Sequence, residues 1–494
     1  MGNPTHSPTP LGSLLRSARE LNGAGRFREA LEAARSALLQ APDDSDARRL
    51  GARLLLGHPA AAGPEWRDPI TRLLADPAVD PMMVAPAGWH LLLAPGGSLG
   101  AQGGNGSALA RSLETDEFAL ALLREAYVTR LDAERILTGL RRWLLLSGEW
   151  PAFPRLVAAL AAQAAHNGGA WLFDTEERRK LESAPAAVIA AAYRPDSAAP
   201  GASAHPAADA VADQYRRWPY PAWSRVTVPQ PITIPAEVES VDQGRPSGLP
   251  VEVEMLVAGC GTGREAALAA FRYPEARITA IDLSETSIAY AAERCRDGPP
   301  ARIDFRALDL HRVAELGKRF HFIACSGVLH HLPDPEAGWA ALADVLEPGG
   351  VMRLMLYSKP ARAEIRSAQA DLADLRGRPV NSDLLREARR RLIAAPPATV
   401  GGAIDFYTLQ GIFDLLLHPH EDSFDVPRIG RALDSLGLEL LAFDLPSPAL
   451  RARYRWDHPG DPAMRDLDAW AELERESPSL FRSMHKFWCR KPAR

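Results

Sequence analysis

The residues best placed to do chemistry are three closely spaced glycines and an acid that follows them. The run LVAGCGTG, residues 256–263, carries Gly259, Gly261 and Gly263, and Asp282 ends the next apolar stretch, ARITAIDL. Glycine takes positive φ without steric cost and lets a backbone approach a ligand with no Cβ in the way. A carboxylate at the end of the following strand can accept both hydroxyls of a ribose. Together they suit a crevice for a nucleoside-containing cofactor. The spacing also excludes alternatives. A dinucleotide fingerprint needs its third glycine where Arg264 stands, and no G-K-[ST] follows as a phosphate loop requires. For the glycines alone, a tight strand-to-helix turn without a ligand remains open.

Such a turn needs a sheet behind it. VEVEMLVA reads as a strand entering the turn and REAALAAFRY as a helix leaving it. RIDFRALDL, residues 302–310, reads as a third strand ending in Asp309. HFIACSGVLHHL, residues 321–332, reads as a buried fourth strand running into a loop. DPEAGWAALADVL has helical periodicity, EPGG at 347–350 is a turn, and VMRLMLYS is a fifth strand. Strands alternating with helices imply parallel βαβ units in a doubly wound α/β sheet, with ligands at the carboxyl ends of the strands. Beyond residue 358, VPRIGRALDSLGLELLAFDL reads as a helix leading to a sixth strand, and SMHKFWCRKP as a terminal one.

In that order, LVAGCGTG, AIDLS, ALDL, CSGVLHHLPDP and LEPGG cover residues 246–358 and resemble the small-molecule-type class I S-adenosylmethionine (SAM) dependent methyltransferases. The resemblance implies a Rossmann-like seven-stranded methyltransferase sheet closed by an antiparallel hairpin, SAM as cofactor, and methyl transfer to an acceptor, small molecule or protein. It implies that Gly259, Gly261 and Gly263 lie along the methionine moiety and that Asp282 binds the ribose. Asp309 and Leu310 would flank the adenine, Cys260 and Leu283 would add cofactor contacts, and the loop from Ser326 to His331 would close the pocket. One departure stands out. The acid usual two places before the first glycine is here Val257, so the SAM ammonium needs another partner, a carbonyl or Glu265. His330 and His331 follow the fourth strand, and His331 is the candidate general base, an imidazole able to take a proton near neutral pH.

Length and composition fit several domains. The chain has 494 residues, 46% hydrophobic and 24% charged, with net charge −5, which argues against a dedicated nucleic-acid surface. Four cysteines lie far apart without a CxxC pair, so neither a disulfide framework nor a zinc site is readable, and a reducing cytoplasm fits. No apolar run suggests a membrane span. Residues 1–60 resemble a tetratricopeptide-like helical hairpin, with Gly25 at the turn, Phe27 as its aromatic, Ala30 and Ala37 as close-packing residues and Pro42 as the stop. Residues 61–193 read as further helices, interrupted by the Gly-rich stretch 93–110. Such a body can be an ordinary helical domain or one that recruits a protein partner.

Residues 194–245 comprise a Pro/Ala/Ser linker and the aromatic segment DQYRRWPYPAW. There Tyr215, Trp218 and Tyr220 can form a lid that stacks on cofactor or substrate, or simply clamp the linker to the core. The glycine turn and the sheet all lie after this linker, so the two halves are expected to be modular. Residues 246–358 form the SAM-binding core, and 359–494 a helical cap with the closing strands. Within the cap LREARRR reads as a solvated basic face, and His418 and His420 as loop residues beside Pro419, with no carboxylate spacing to complete a metal site. The rival to a methyltransferase is an interaction protein carrying an inert SAM-binding module.

Overall fold

The computed structural model describes residues 9–493 apart from 101–105, 184, 194–219, 222, 297, 300–301 and 446–447. Tyr215, Trp218, the 194–209 linker and the tip of the Gly-rich stretch therefore lie outside the described residues.

Seven strands form one sheet in the order β3-β2-β1-β4-β5-β7-β6. They are β1 (Glu254–Ala258), β2 (Arg277–Asp282), β3 (Ile303–Ala307), β4 (Phe320–Ser326), β5 (Leu346–Tyr357), β6 (Glu439–Phe443) and β7 (Met484–Arg490). Pairing is parallel from β3 through β5, and β7 runs antiparallel to both β5 and β6. The central strands are apolar on both faces because helices cover both. Leu256 and Ala258 pack into one core, Met255 and Val257 into the other. The chain reverses its strand order between β1 and β4, and that is where an open α/β sheet leaves a crevice.

Three local expectations change. β3 stops at Ala307, and Asp309 instead caps the 3-10 turn Leu310–Leu316 by accepting from the His311 N–H at 2.9 Å. EPGG does not precede β5 but lies within it, where the register with β4 shifts and Gly349 takes φ 78°. β6 and β7 pair as expected but are no tight hairpin, because helices Pro448–Asp457 and Leu467–Glu476 intervene.

The N-terminal helices Pro10–Gly23 and Phe27–Gln40 meet at a turn where Gly25 has φ 76°, and Ala30 and Ala37 are fully buried between helices. One continuous core runs from Leu15 to Tyr193, so these helices and those after residue 60 share it. This body also packs against the cap. Ala170 belongs to the core of the cap, and Tyr127 and Leu131 pack on that core. Arg389, fully buried on the cap helix Ser382–Leu392, makes a bidentate pair with buried Glu134 at 2.6 Å for both bonds. Arg386 on the same helix is also buried and donates to the Gly169 carbonyl at 2.8 Å. The basic run is thus only partly a solvated face. Its residues three apart lie on the same side of the helix as Leu385 and Leu392, and that side is the seam. No helix among the described residues is long and apolar enough to cross a membrane.

Candidate functional site

A cavity of about 1360 Å³ opens at the carboxyl ends of β1, β2 and β4 and extends under the cap. Gly259, Cys260, Gly261, Asp282, Leu283, Asp309, Leu310, Ser326 and His331 all line it. Gly259 has φ 68°, and a Cβ there would meet the Val328 side chain at 2.3 Å. Gly263 does not line the cavity. It has φ 84°, and its Cβ position is taken by Ala291, 2.5 Å away, so this glycine lets two helices touch rather than a ligand approach.

Asp282 is held by its own loop. One oxygen accepts from the Gly261 N–H at 2.8 Å and the other from the Ser284 N–H at 2.9 Å. Burial pushes its carboxyl above the usual range, and those two N–H groups oppose the push. Each oxygen retains a second lone pair for a hydroxyl donor. Leu283 beside it is 49% exposed, apolar surface at the rim that a planar base can cover. Val257, the departure from the family pattern, is fully buried in the core. Glu265 instead reaches the cavity, where one of its oxygens accepts from the Ser326 hydroxyl at 2.8 Å.

Of the aromatic segment, Tyr220 and Trp223 are described, and they are stitched to the glycine turn. The Trp223 indole N–H donates to the Thr262 carbonyl at 2.9 Å, and the Thr262 hydroxyl donates to the Pro221 carbonyl at 2.5 Å. The Tyr220 hydroxyl donates to the Asp405 carboxylate across the cavity, on the cap. Burial pushes the Asp405 carboxyl up to about 6. The Tyr220 hydrogen bond opposes this and the charge of Asp414 adds to it.

The two histidines part company. His330 is fully buried, accepts from the Tyr357 N–H at 3.2 Å, stacks on the Tyr357 ring at 3.7 Å and does not line the cavity. His331 does line it. Its Nδ1 donates to the His420 carbonyl at 3.0 Å, which leaves the lone pair on Nε2, and its ring stacks on His418 at 3.8 Å. Burial lowers its pKa to about 4. His331 is therefore a neutral hydrogen-bond acceptor at physiological pH, and the expectation of a base titrating near neutrality is corrected.

The cap contributes residues that sequence reasoning passed over: Asp405, Asp414, Arg362 and, at its edge, Tyr357. Arg362 forms a bidentate pair with Glu421 at 3.0 and 2.8 Å and lies 3.5 Å above the Tyr357 ring. A signal existed, since Asp414 interrupts the apolar helix LQGIFDLL and an acid there needs a reason. His418 is buried rather than a loop residue in solvent, and ligand atoms of His331, Asp414 and His418 lie within 4.8 Å of one another. The missing carboxylate thus comes from the preceding helix. Yet the His418 Nδ1 accepts from the His420 N–H at 3.1 Å, so the neutral ring carries its proton on Nε2 and is set up as a donor rather than a metal ligand.

The chain is similar to known proteins over part of its length. Residues 255–350 match the family of methyltransferase domains. An uncharacterised protein of Synechococcus sp. is 36% identical over 209 residues, covering 38% of this chain and 48% of that protein. The ubiquinone biosynthesis O-methyltransferase of Chromobacterium violaceum is 32% identical over 22% of this chain and 47% of its own length. The solved structure of PKMT2 from Rickettsia typhi in complex with AdoHcy is similar over 53% of this chain and 54% of its own, at 17% identity and a TM-score of 0.41. The chain spans about half the length of these relatives. Over residues 255–350 it carries a methyltransferase domain.

Proposed function

We propose that the protein is a SAM-dependent methyltransferase whose acceptor enters beneath the cap. The observation that carries this reading is the pairing of the Gly259–Gly261 turn with Asp282 at the strand reversal, inside the matched domain. The residues fit the cofactor. Gly259 and Gly261 leave backbone room for the methionine end, Asp282 offers acceptors for the ribose, and Leu283 and Leu310 give apolar faces beside it. Glu265 replaces Val257 as the acid for the ammonium. The cofactor supplies a methyl group already activated on a sulfonium. The chain's own part is to bind, orient and exclude water, and alignment of acceptor and methyl contributes several kcal/mol, about 7–11 at most. The cap and the Tyr220 strap enclose the acceptor side for that purpose. Recruitment of a protein acceptor by the helical body belongs to the same proposal, as does a cytoplasmic site of action.

Calorimetric titration of the full chain with SAM, alongside Asp282→Ala, tests it. Charge-assisted hydrogen bonds to ribose are worth about 1.5–3 kcal/mol, so the variant binds roughly tenfold to a hundredfold more weakly. No SAM binding by the parent, or an unchanged Kd in the variant, overturns the reading.

A further inference from the structure

We propose that the acceptor is an amine, held as an ammonium between Asp405 and Asp414 and deprotonated by Asp405 before methylation. This rests on the methyltransferase reading and adds the substrate class.

Position comes first. The Tyr220 carbonyl lies 3.0 Å from where a Cβ on Gly261 would be, while its hydroxyl reaches Asp405. One tyrosine side chain therefore separates the glycine turn from the cap carboxylate. Asp414 lines the same wall, and the Tyr357 hydroxyl lies 3.5 Å from its carboxylate. Both acids line the same cavity as the Gly259–Gly261 turn, the methionine end of the proposed cofactor site.

Charge comes second. Arg362 is the one cation that the cap segment 359–426 contributes to the described cavity wall, and it is clasped by Glu421. Glu421 pairs with Arg362, and Asp405 and Asp414 add two further carboxylates to the same wall. His331 and His418, beside Asp414, are neutral because burial lowers both, and they add no positive charge. Outside the cap segment, Arg264 pairs with Asp80 at 2.8 Å, Arg272 with Glu237 at 2.7 Å and Arg353 with Asp444 at 3.6 Å, while Arg482 and Lys486 line the cavity from the β7 side, away from the cap acids in sequence. The cap wall suits a monocation and repels an anion. Asp405, with a carboxyl pushed up to about 6, is a stronger base than an ordinary carboxylate, though far too weak for an aliphatic hydroxyl.

The step balances. The ammonium gives one proton to Asp405, which becomes a neutral acid, and the nitrogen regains its lone pair. That pair forms the N–C bond to the methyl group as the C–S bond breaks and its electrons return to sulfur. The positive charge passes from sulfur to the product ammonium, S-adenosylhomocysteine is neutral, and Asp405 releases its proton to solvent.

The test uses the full chain with SAM and four probes: n-butylamine, a peptide with free lysine amines, the same peptide with those amines acetylated, and succinate. Mass spectrometry locates the methyl group and titration measures SAM affinity. Methyl appears on nitrogen in the first two probes only. Asp405→Asn lowers amine turnover about 10²-fold, the lower end of a general base's contribution, while SAM affinity stays within about twofold. Asp405→Glu recovers part of the rate, and the change lies in kcat. Methyl on succinate or the acetylated peptide, no turnover of either amine, or full amine activity in Asp405→Asn overturns the inference. If SAM binds and only oxygen is methylated, the substrate class falls alone. If SAM does not bind, the methyltransferase reading falls with it.

Discussion

The two walls of the cavity are built differently. The sheet wall draws Gly259, Gly261, Asp282, Asp309 and Ser326 from consecutive βα units, each at the carboxyl end of its strand. The cap wall draws Tyr220, His331, Arg362, Asp405 and Asp414 from segments far apart in sequence, joined by side-chain hydrogen bonds rather than by a ladder. Backbone topology places the first wall, and its polar groups are bonded mainly to their own loops. Buried ion pairs place the second, one of them reaching into the N-terminal body. Arg389 illustrates this. It joins Glu134 and also donates to the Phe406 carbonyl at 2.9 Å, the residue next to Asp405. A wall set by topology should tolerate loss of a distant partner, and one set by ion pairs should not.

The sharpest way to break this contrast is Glu134→Ala. Arg389 would be left as an uncompensated charge with no exposure to solvent, a loss of about 3–5 kcal/mol where one partner of a buried pair is removed. Thermal unfolding is expected to show that loss, and amine turnover to fall more than SAM affinity, because the damage enters beside Asp405. Equal damage to SAM binding would mean that the two walls are one unit.

Acid is the next probe, and it acts on the cap wall. His331 has its pKa lowered from 6.5 to about 4, and His330 and His418 are lowered as well, each chiefly by burial. Between those values the unfolded chain binds a proton that the folded chain refuses. The stability from these neutral histidines is therefore complete above pH 6.5 and is lost as pH falls toward 4. For His331 alone this amounts to about 3 kcal/mol. Asp405, whose carboxyl is pushed up to about 6, takes up a proton in the folded chain over the same range and offsets part of this loss, so the check is a difference: the fall in melting temperature between pH 6.5 and 4.5 should be smaller in His331→Gln than in the parent. Equal falls in the two would show that the His331 ring is not buried as described.

The contrast also explains what was legible in the sequence. The sheet order, the turn and Asp282 follow from hydrophobic runs and glycines, because parallel βαβ units leave few topologies and one place for a ligand. Gly263 looked equivalent to its neighbours because spacing does not say which way a Cα faces, and Ala291 decides that from another helix. Asp405 and His418 carried no local pattern and Asp414 only its break in an apolar run, since their partners lie on other segments and only the fold brings them together. The linker composition suggested two independent halves, but composition cannot report a pair such as Glu134 with Arg389, which lie 255 residues apart.

The smallest effect sharpens the comparison within a single helix. Arg389 and Arg391 are two residues apart in the same basic run, but one faces the seam and the other water. Arg391 bonds Asp374 at 2.7 and 3.0 Å and Glu387 at 3.2 Å, and these carboxylates hold its guanidinium above its ordinary pKa. Its side chain is 36% exposed, however, so solvent and salt screen the attraction, and holding three flexible side chains in one arrangement costs entropy. Arg391→Ala should leave the melting temperature, SAM affinity and turnover essentially unmoved at physiological salt. Arg389→Ala, which strands the buried Glu134 carboxylate, should lower the melting temperature clearly under the same conditions. A large loss from Arg391→Ala would place the exposed face of this helix in the same supporting network as the buried one, and the seam would then be wider than Glu134 and Arg389 alone define.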